Sequence, residues 1–336
     1  GEQVRAKSRL VAKGFTQQEG IHFLNTFSPV VKTDTLRLCL TLANHLHMKV
    51  SQMDVSTAFI QQKLDIPIHM SLPKGYQEIM KLPVTGDQVL LLHKAIYGLK
   101  QSSRLFFDAL RGVLIRGARL VQSQHDPCLF YLRKSNTLVA MVMVFVDDIL
   151  IATKTYALTR DIKKAINARY KTTDSGIMRW VLGMEVTYKS ESEYKNSNAS
   201  NNHVIKESNL NRAPSSHEKK GKSYEPGSKE EWENFTIKRY ITFSIQKYVN
   251  DTLEKFGITD NAKPRTLPAS PSIDFTKEGH SKLKSETLSE EKKNTYRSLI
   301  GSLMYATVVA LPQIAFSVYT LASYLQSPTE VHLKAA

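Results

Sequence analysis

Cysteine is nearly absent from this 336-residue chain: Cys39 and Cys128 are its only thiols. Two thiols cannot build a disulfide framework or a cysteine-based zinc cluster, so a reducing, intracellular setting is expected. Acidic residues are also scarce, 31 Asp and Glu against 46 Lys and Arg, which leaves a formal charge of +15. The dinucleotide fingerprint GxGxxG, the phosphate-cradling P-loop and the zinc motif HExxH are all missing, which removes the usual signs of a small-molecule enzyme. No apolar leader core follows Gly1, and no internal repeat is present. Both ends read as cuts through a longer protein. One long uncharged run exists, Leu299–Leu325, long enough to span a bilayer. Pro312-Gln313 interrupts it and serine and threonine punctuate both halves, so two buried helices meeting at a proline turn are expected, and no membrane partner.

What remains is globular composition, 41% hydrophobic and 23% charged, in a chain long enough for two or three domains. The surplus of positive charge suits a polyanionic partner and is uneven. Residues 1–188 hold 25 basic and 14 acidic side chains, residues 189–336 hold 21 and 17. Residues 1–188 alternate strand-like and helical stretches. Lys7–Lys13, Ile66–Leu72, Val89–Leu92, Leu129–Leu132, Leu138–Thr153 and Trp180–Tyr188 read as strands. Thr33–Leu46, Ser102–Arg116 and Arg160–Tyr170 have helical apolar spacing. From Lys189 to Arg239 the chain is crowded with Ser, Asn, Lys and Glu, and too few apolar residues are available to offset ordering entropy. A disordered insertion over 189–239 is expected, with regular structure returning over 240–336.

The segment from Leu138 to Thr153 carries the chemistry. It reads as two apolar strands joined at Asp147-Asp148. Two like charges about 4 Å apart repel by roughly 4 kcal/mol at an effective dielectric of 20. A divalent cation removes that cost, and hard oxygen donors suit Mg²⁺. Aspartates are also common in solvated turns, so the pair by itself leaves both readings open. A second apolar strand, Val50–Ile60, is interrupted by Asp54. Two such strands could gather three carboxylates, the arrangement two-metal phosphoryl transfer requires.

Several ordered blocks then resemble one family, the reverse transcriptase of copia-type LTR retrotransposons. Lys7-Ser-Arg-Leu-Val-Ala-Lys-Gly-Phe-Thr-Gln17 resembles its opening fingers segment, and Thr26-Phe-Ser-Pro-Val30 the block that follows. Gln52-Met-Asp-Val-Ser-Thr-Ala-Phe59 resembles polymerase motif A, Lys94-Ala-Ile-Tyr-Gly-Leu-Lys-Gln-Ser-Ser-Arg104 motif B, and Phe145-Val-Asp-Asp148 motif C. Trp180-Val-Leu-Gly-Met-Glu185 resembles the primer-grip region. Leu253-Glu-Lys-Phe-Gly257 and Tyr296-Arg-Ser-Leu-Ile-Gly-Ser-Leu-Met-Tyr305 resemble the thumb and connecting region.

The resemblance implies an α+β right-hand polymerase. Fingers and palm would occupy 1–188 and thumb and connection helices 240–336, ending before a ribonuclease H domain. It implies an RNA- and DNA-templated DNA polymerase that uses Mg²⁺, replaceable by Mn²⁺, with dNTP substrates, an RNA template and a DNA primer–template. Asp54, Asp147, Asp148 and the Val55 carbonyl match the metal positions. Phe59 matches the steric gate against a ribose 2′-hydroxyl, and Gln101 a residue beside the incoming nucleotide. Lys7, Arg9 and Lys13 match cations on the triphosphate, and Leu182 and Gly183 the primer terminus. The resemblance further implies a larger Pol polyprotein with integrase and ribonuclease H, located in a cytoplasmic virus-like particle or the nucleus.

The chain departs from the family pattern at several places. Phe145 replaces the usual Tyr, Gln61-Gln62 the usual Asn-Gly, and Ser102-Ser103 a small residue and Pro. Ala310-Leu311-Pro312-Gln313 stands where the family carries Thr-Arg-Pro-Asp. A degraded copy that binds nucleic acid without catalysis is therefore the alternative.

Overall fold

The computed structural model describes residues 8–81, 88–189, 224–235, 240–258, 268 and 288–336. The chain divides into two compact units. Gly1–Met178 and Tyr188–Ile241 form the first; Arg179–Thr187 and Thr242–Ala336 form the second.

The first unit is built on a sheet whose strands are far apart in sequence. Helix α1 (Thr33–His45) buries Leu36, Cys39, Leu40 and Ala43, a three-and-four spacing that puts one stripe inward. Its entry is fixed from a distance, because the Lys32 N–H donates to Asp126 Oδ2 at 3.0 Å. Strand β1 (Lys49–Val55) follows, then the hairpin of β2 (Lys63–Ser71) and β3 (Val89–Lys94), with the short α2 (Tyr76–Ile79) between them. Helix α3 (Ser102–Gly112) buries Phe106, Phe107 and Leu110 and runs on into a wider turn over Val113–Gly117. Strands β4 (Val121–Gln122), β5 (Leu129–Lys134), β6 (Thr137–Phe145) and β7 (Asp148–Thr153) come next, then α4 (Tyr156–Asn167) and β8 (Thr172–Ile177). The Thr155 hydroxyl caps α4 by accepting from the Leu158 N–H.

These strands form one antiparallel sheet in the order β4-β5-β6-β7-β1-β8. Val142 and Met143 in β6 and Ile149 and Ile151 in β7 are fully buried. Successive buried residues point to opposite faces, so both faces of the sheet centre are covered, which is why these strands read as unbroken apolar runs.

Strands β9 (Trp180–Val181) and β10 (Met184–Lys189) pair in a hairpin, and β11 (Tyr240–Ser244) joins β10. Between β10 and β11 in the chain lies α5 (Lys229–Asn234). The second unit holds α6 (Gln246–Lys255), α7 (Glu290–Val309), α8 (Ala315–Ala322) and α9 (Glu330–Ala335), and the last three contribute to a core of Leu288, Tyr296, Ile300 and Leu321. The buried Tyr296 hydroxyl donates to the Leu321 carbonyl at 2.7 Å, which ties α7 to α8. The Tyr248 hydroxyl likewise donates to the Ser302 carbonyl at 3.0 Å and ties α6 to α7.

The mixture of helices and antiparallel sheet is the expected α+β class. The uncharged run is indeed two helices, α7 and α8, separated by a 3₁₀ turn that starts at Pro312. Among the described residues no helix is long and apolar enough to cross a membrane.

Four local readings differ. Over the described part of Lys7–Lys13 there is one isolated bridge, Val11 with Tyr97, and a 3₁₀ turn follows at Gly14. The segment lies along the 97–101 loop, which offers no strand to extend it. The expected strand Trp180–Tyr188 is two strands, because Leu182 and Gly183 take φ of 49° and 77° and fold it back. Strand β8, Thr-Thr-Asp-Ser-Gly-Ile, was not anticipated, since an edge strand needs no apolar alternation. Residues 190–223 and 236–239 lie outside the described residues. The 224–235 part of the expected insertion folds, however, because Ser228 caps α5 and Trp232 is buried.

Phe106 is 2% exposed and meets Tyr170 and Phe59 edge to face, with centroids 5.5 and 6.4 Å away. Phe106→Ala is expected to destabilise the first unit by about 3–5 kcal/mol, read as an earlier denaturant midpoint by circular dichroism.

Candidate active site

The register of the sheet brings two of the sequence-predicted acids together. In the antiparallel pair β1–β7, Asp54 stands directly opposite Asp148. Residues directly opposite share a face, so both carboxylates project to the same side. The alternation along β1 agrees: Met53 and Val55 are buried, whereas Gln52 and Asp54 are half-buried on the other face. Asp147 occupies the two-residue turn between β6 and β7. Its carbonyl accepts the Val55 N–H at 2.9 Å, which closes the end of β1 onto that turn.

The turn is strained. Val146 has φ of 55°, the left-handed region where a β-branched residue is a real outlier. Such conformations persist only where the surroundings over-determine them, and they concentrate at functional sites. Here the flanking pair Phe145–Asp148 and the Val55–Asp147 bond hold it.

Burial, first, and the neighbouring Asp147 charge push the Asp148 carboxyl above the usual aspartate range. A hydrogen bond from Gln52 Nε2 to Asp148 Oδ1, 3.2 Å, acts in the opposite direction. Sequence reasoning missed Gln52. The signal was available, because Gln52 and Asp54 are two apart on a strand and must share a face.

Among the described residues, no three His, Cys, Asp or Glu side chains converge as a ready metal cage. The donor set is instead hard carboxylate oxygen with a repulsion to relieve. That chemistry fits Mg²⁺, which characteristically takes one or two carboxylates and completes its shell with water and substrate phosphates. Of the groups named for the metal, the register brings Asp54 and Asp148 together, and Asp147 lies in the adjoining turn.

The other candidates fall around a second junction. Phe59 is half-buried and meets the Tyr97 ring edge to face at 4.8 Å. Arg9 is exposed, with its guanidinium 5.5 Å from the centre of the same Tyr97 ring. Lys13 is exposed and borders a cavity of about 590 Å³ whose wall also includes Gln17, His22, His69 and Lys74. Lys7 lies outside the described residues. Gln101 is wholly buried and both ends of its amide are engaged: Oε1 accepts from Gln17 Nε2 at 3.0 Å, and Nε2 donates to the His22 carbonyl at 2.9 Å. In this arrangement Gln101 locks residues 17–22 onto the 97–104 segment, and a nucleotide could touch it only after it is uncovered. Leu182 and Gly183 form the β9–β10 turn in the second unit, where the Tyr305 hydroxyl donates to the Leu182 carbonyl.

Two departures from the family pattern are absorbed by specific bonds. Gln62 is buried, and its Nε2 donates to the Tyr170 hydroxyl at 3.4 Å. The Ser102 hydroxyl donates to the Ile96 carbonyl at 2.6 Å.

The raised Asp148 value fixes the sign of a pH effect. The folded state holds this proton to higher pH than the unfolded state does. Stability therefore falls as pH rises from the ordinary aspartate range through the raised value. Asp148→Asn keeps the acceptor for Gln52 and removes the charge. It is expected to raise the melting temperature at neutral pH in EDTA and to flatten this slope, checked by thermal melts across the acid range.

The family model for the reverse transcriptase (RNA-dependent DNA polymerase) matches residues 1–217. The chain is 30% identical to the retrovirus-related Pol polyprotein from transposon TNT 1-94 of Nicotiana tabacum, over 99% of this chain and 21% of that protein. It is 29% identical to the Pol polyprotein from transposon RE1 of Arabidopsis thaliana, over 100% of this chain and 19% of that protein. A more distant match is the truncated transposon Ty1-A Gag-Pol polyprotein of Saccharomyces cerevisiae, 25% identical over 54% of this chain and 15% of that protein. The chain thus spans about a fifth of the length of its plant relatives. With the motif blocks in order and the acids in register, this chain belongs to the reverse transcriptase family, in the branch of the copia-type retrotransposon Pol polyproteins.

Proposed function

We propose that this chain is an RNA- and DNA-directed DNA polymerase that adds dNMP units to a primer 3′-hydroxyl during retrotransposon replication. The observation that carries the reading is Asp54 in direct register with Asp148 beside the strained Asp147 turn, in a chain of this family. In this reading the six-stranded sheet is the palm, the 8–30 segment with the β2–β3 hairpin the fingers, and the helices of 240–336 the thumb and connection.

In the reaction, the primer 3′-oxygen bonds to the α-phosphorus, the bond to the bridging oxygen breaks, and pyrophosphate leaves. A pair of Mg²⁺ ions, or Mn²⁺, would be held by Asp54, Asp147, Asp148 and the Val55 carbonyl, and when bound would supply activation of the attacking oxygen and charge neutralisation at the leaving one. The protein's part is positioning and electrostatics. The Gln52 bond and the β1–β7 register hold Asp148 beside Asp54. Lys7, Arg9 and Lys13 would meet the triphosphate. Phe59, braced by Tyr97, would stand where a 2′-hydroxyl would project and so favour deoxynucleotides. RNA template, DNA primer and the remaining Pol domains, integrase and ribonuclease H, are the partners this reading requires, in a cytoplasmic particle or the nucleus.

Primer extension on an RNA template tests it. Asp147→Asn is expected to lower the extension rate by about 10²–10³-fold, the usual cost of removing a group aimed at developing charge. Its affinity for the primer–template should be little changed. If the intact chain binds primer–template with a steep salt dependence and adds no nucleotide in Mg²⁺ or Mn²⁺, the binding-only reading takes its place.

A further inference from the structure

Strand β8 flanks the acid-bearing strand on the side away from Asp148. Val55 pairs with Thr172 and Asp54 with Thr173. One step further the register breaks: Met53 pairs with Asp174, but Gln52 pairs with Gly176. Ser175 is therefore an extra residue, a β-bulge immediately beside the residue that precedes Asp54. Bulges raise local twist and re-aim side chains, and they concentrate next to active sites.

This bulge is held by groups outside the ladder. Asp174 Oδ1 accepts the Gly176 N–H at 2.9 Å, folding the bulge over its own carboxylate. Lys163 of α4 grips both oxygens of that carboxylate, at 2.7 and 2.8 Å. On the outer side comes α5. Glu231 Oε2 accepts the Ile177 N–H at 3.3 Å, a donor on the outermost strand, and the Gly227 N–H at 2.7 Å. Two glycines make room for these carboxylates. Gly176 and Gly227 have φ of +72° and +79°. A Cβ at 176 would come 2.3 Å from the Glu231 carboxylate, and a Cβ at 227 would come 2.2 Å from that of Asp174. Each glycine thus faces the carboxylate of the opposite segment.

The same helix reaches the start of β1. Trp232 is 7% exposed, and Lys49, the first residue of β1, donates to its carbonyl and lies 5.5 Å from the centre of its ring. β1 is thereby restrained at Lys49 and, through the bulge, at Gln52 and Met53. Asp54 is the next residue.

We propose that Glu231 and Asp174 are positioning residues. By clamping the β8 bulge between α4 and α5, they fix the height and register of β1 and so the placement of the Asp54 carboxylate. The catalytic consequence rests on the polymerase reading above; the mechanical one does not. Asp174 stands opposite Met53, the neighbour of Asp54, and Glu231 reaches the sheet through the Ile177 N–H. The clamp makes the folded 224–235 end of the polar insertion part of the machinery that presents Asp54.

The experiment combines primer extension with amide hydrogen exchange on the full chain. The variants are Glu231→Ala, the milder Glu231→Gln and Gly227→Ala, with Lys229→Ala on the exposed face of α5 as control. All are measured well below their own melting temperatures. Glu231→Ala and Gly227→Ala are expected to speed amide exchange at residues 53–55 and 172–177. They should also lower kcat by about tenfold or more with the KM for dNTP within about twofold, since a small misplacement of a reacting group is costly. Glu231→Gln keeps an acceptor and should recover most of the loss, and Lys229→Ala should match the parent chain. If the clamp variants fold, exchange like the parent at 53–55 and keep its kcat, the proposal is overturned. If the parent extends no primer, the polymerase reading fails alone, and unchanged exchange at 53–55 would still sink the clamp.

Discussion

Everything in the first unit answers to one constraint: two aspartates with like charge must be kept face to face on neighbouring strands. Left to themselves, Asp54 and Asp148 would separate or draw in water. They stay in register because β1 is fixed on both sides. β7 pairs with it from Lys49 to Asp54, and the bulged β8 covers the other edge from Ser51 to Val55. The apolar bulk of β6 and β7, buried on both faces, makes that sheet stiff enough to hold the arrangement. Burial in that sheet, and after it the neighbouring Asp147 charge, raise the proton affinity of the Asp148 carboxyl. The strained Val146 turn is the same compromise expressed in the backbone.

A second layer of organisation joins the start of the chain to the segment around Gln101. The Ala12 N–H donates to the Tyr97 carbonyl at 2.8 Å, and Gln17 bonds both to Gln101 and to the Lys100 N–H. The segments 8–17 and 94–104 are therefore one physical unit, although more than seventy residues part them in the sequence. Tyr97 is the hub, with Phe59 on its ring edge and Arg9 near its ring centre. The aromatic residue proposed to judge the sugar and a cation proposed to meet the triphosphate thus share one support.

How much of this could be read from residues alone depends on the range of the interaction. The β6–β7 hairpin was legible because its apolar runs are local and its acids interrupt them. Helix α1 was legible from Leu36, Leu40 and Ala43. Asp54 and Asp148 could be suspected as partners from the motif order, but their register could not, because it is set by β1 inserting between β7 and β8. Gln101 shows the opposite limit. A glutamine's role depends on which amides surround it, and nothing near it in sequence announces Gln17 and His22. Strand β8 and α5 were hidden for a related reason. Their polar residues are spent on nearby backbone groups, Asp174 on the Gly176 N–H and Glu231 on the Gly227 N–H, and leave no apolar period to detect.

The long reach of β1 also governs how the chain acquires its site. The Ser51 hydroxyl contacts the carbonyl of Ile151, a hundred residues later, and further pairing waits for β8. Such non-local contacts are slow to form, because loop closure must come before any contact rewards it. During synthesis β1 emerges before its partner strands with both edges open, the state most prone to pairing with the wrong neighbour. A charge at Asp54 on such an open strand discourages stacking with another copy. The residue proposed to serve the chemistry would then have an earlier task, keeping its own strand soluble until its partners arrive.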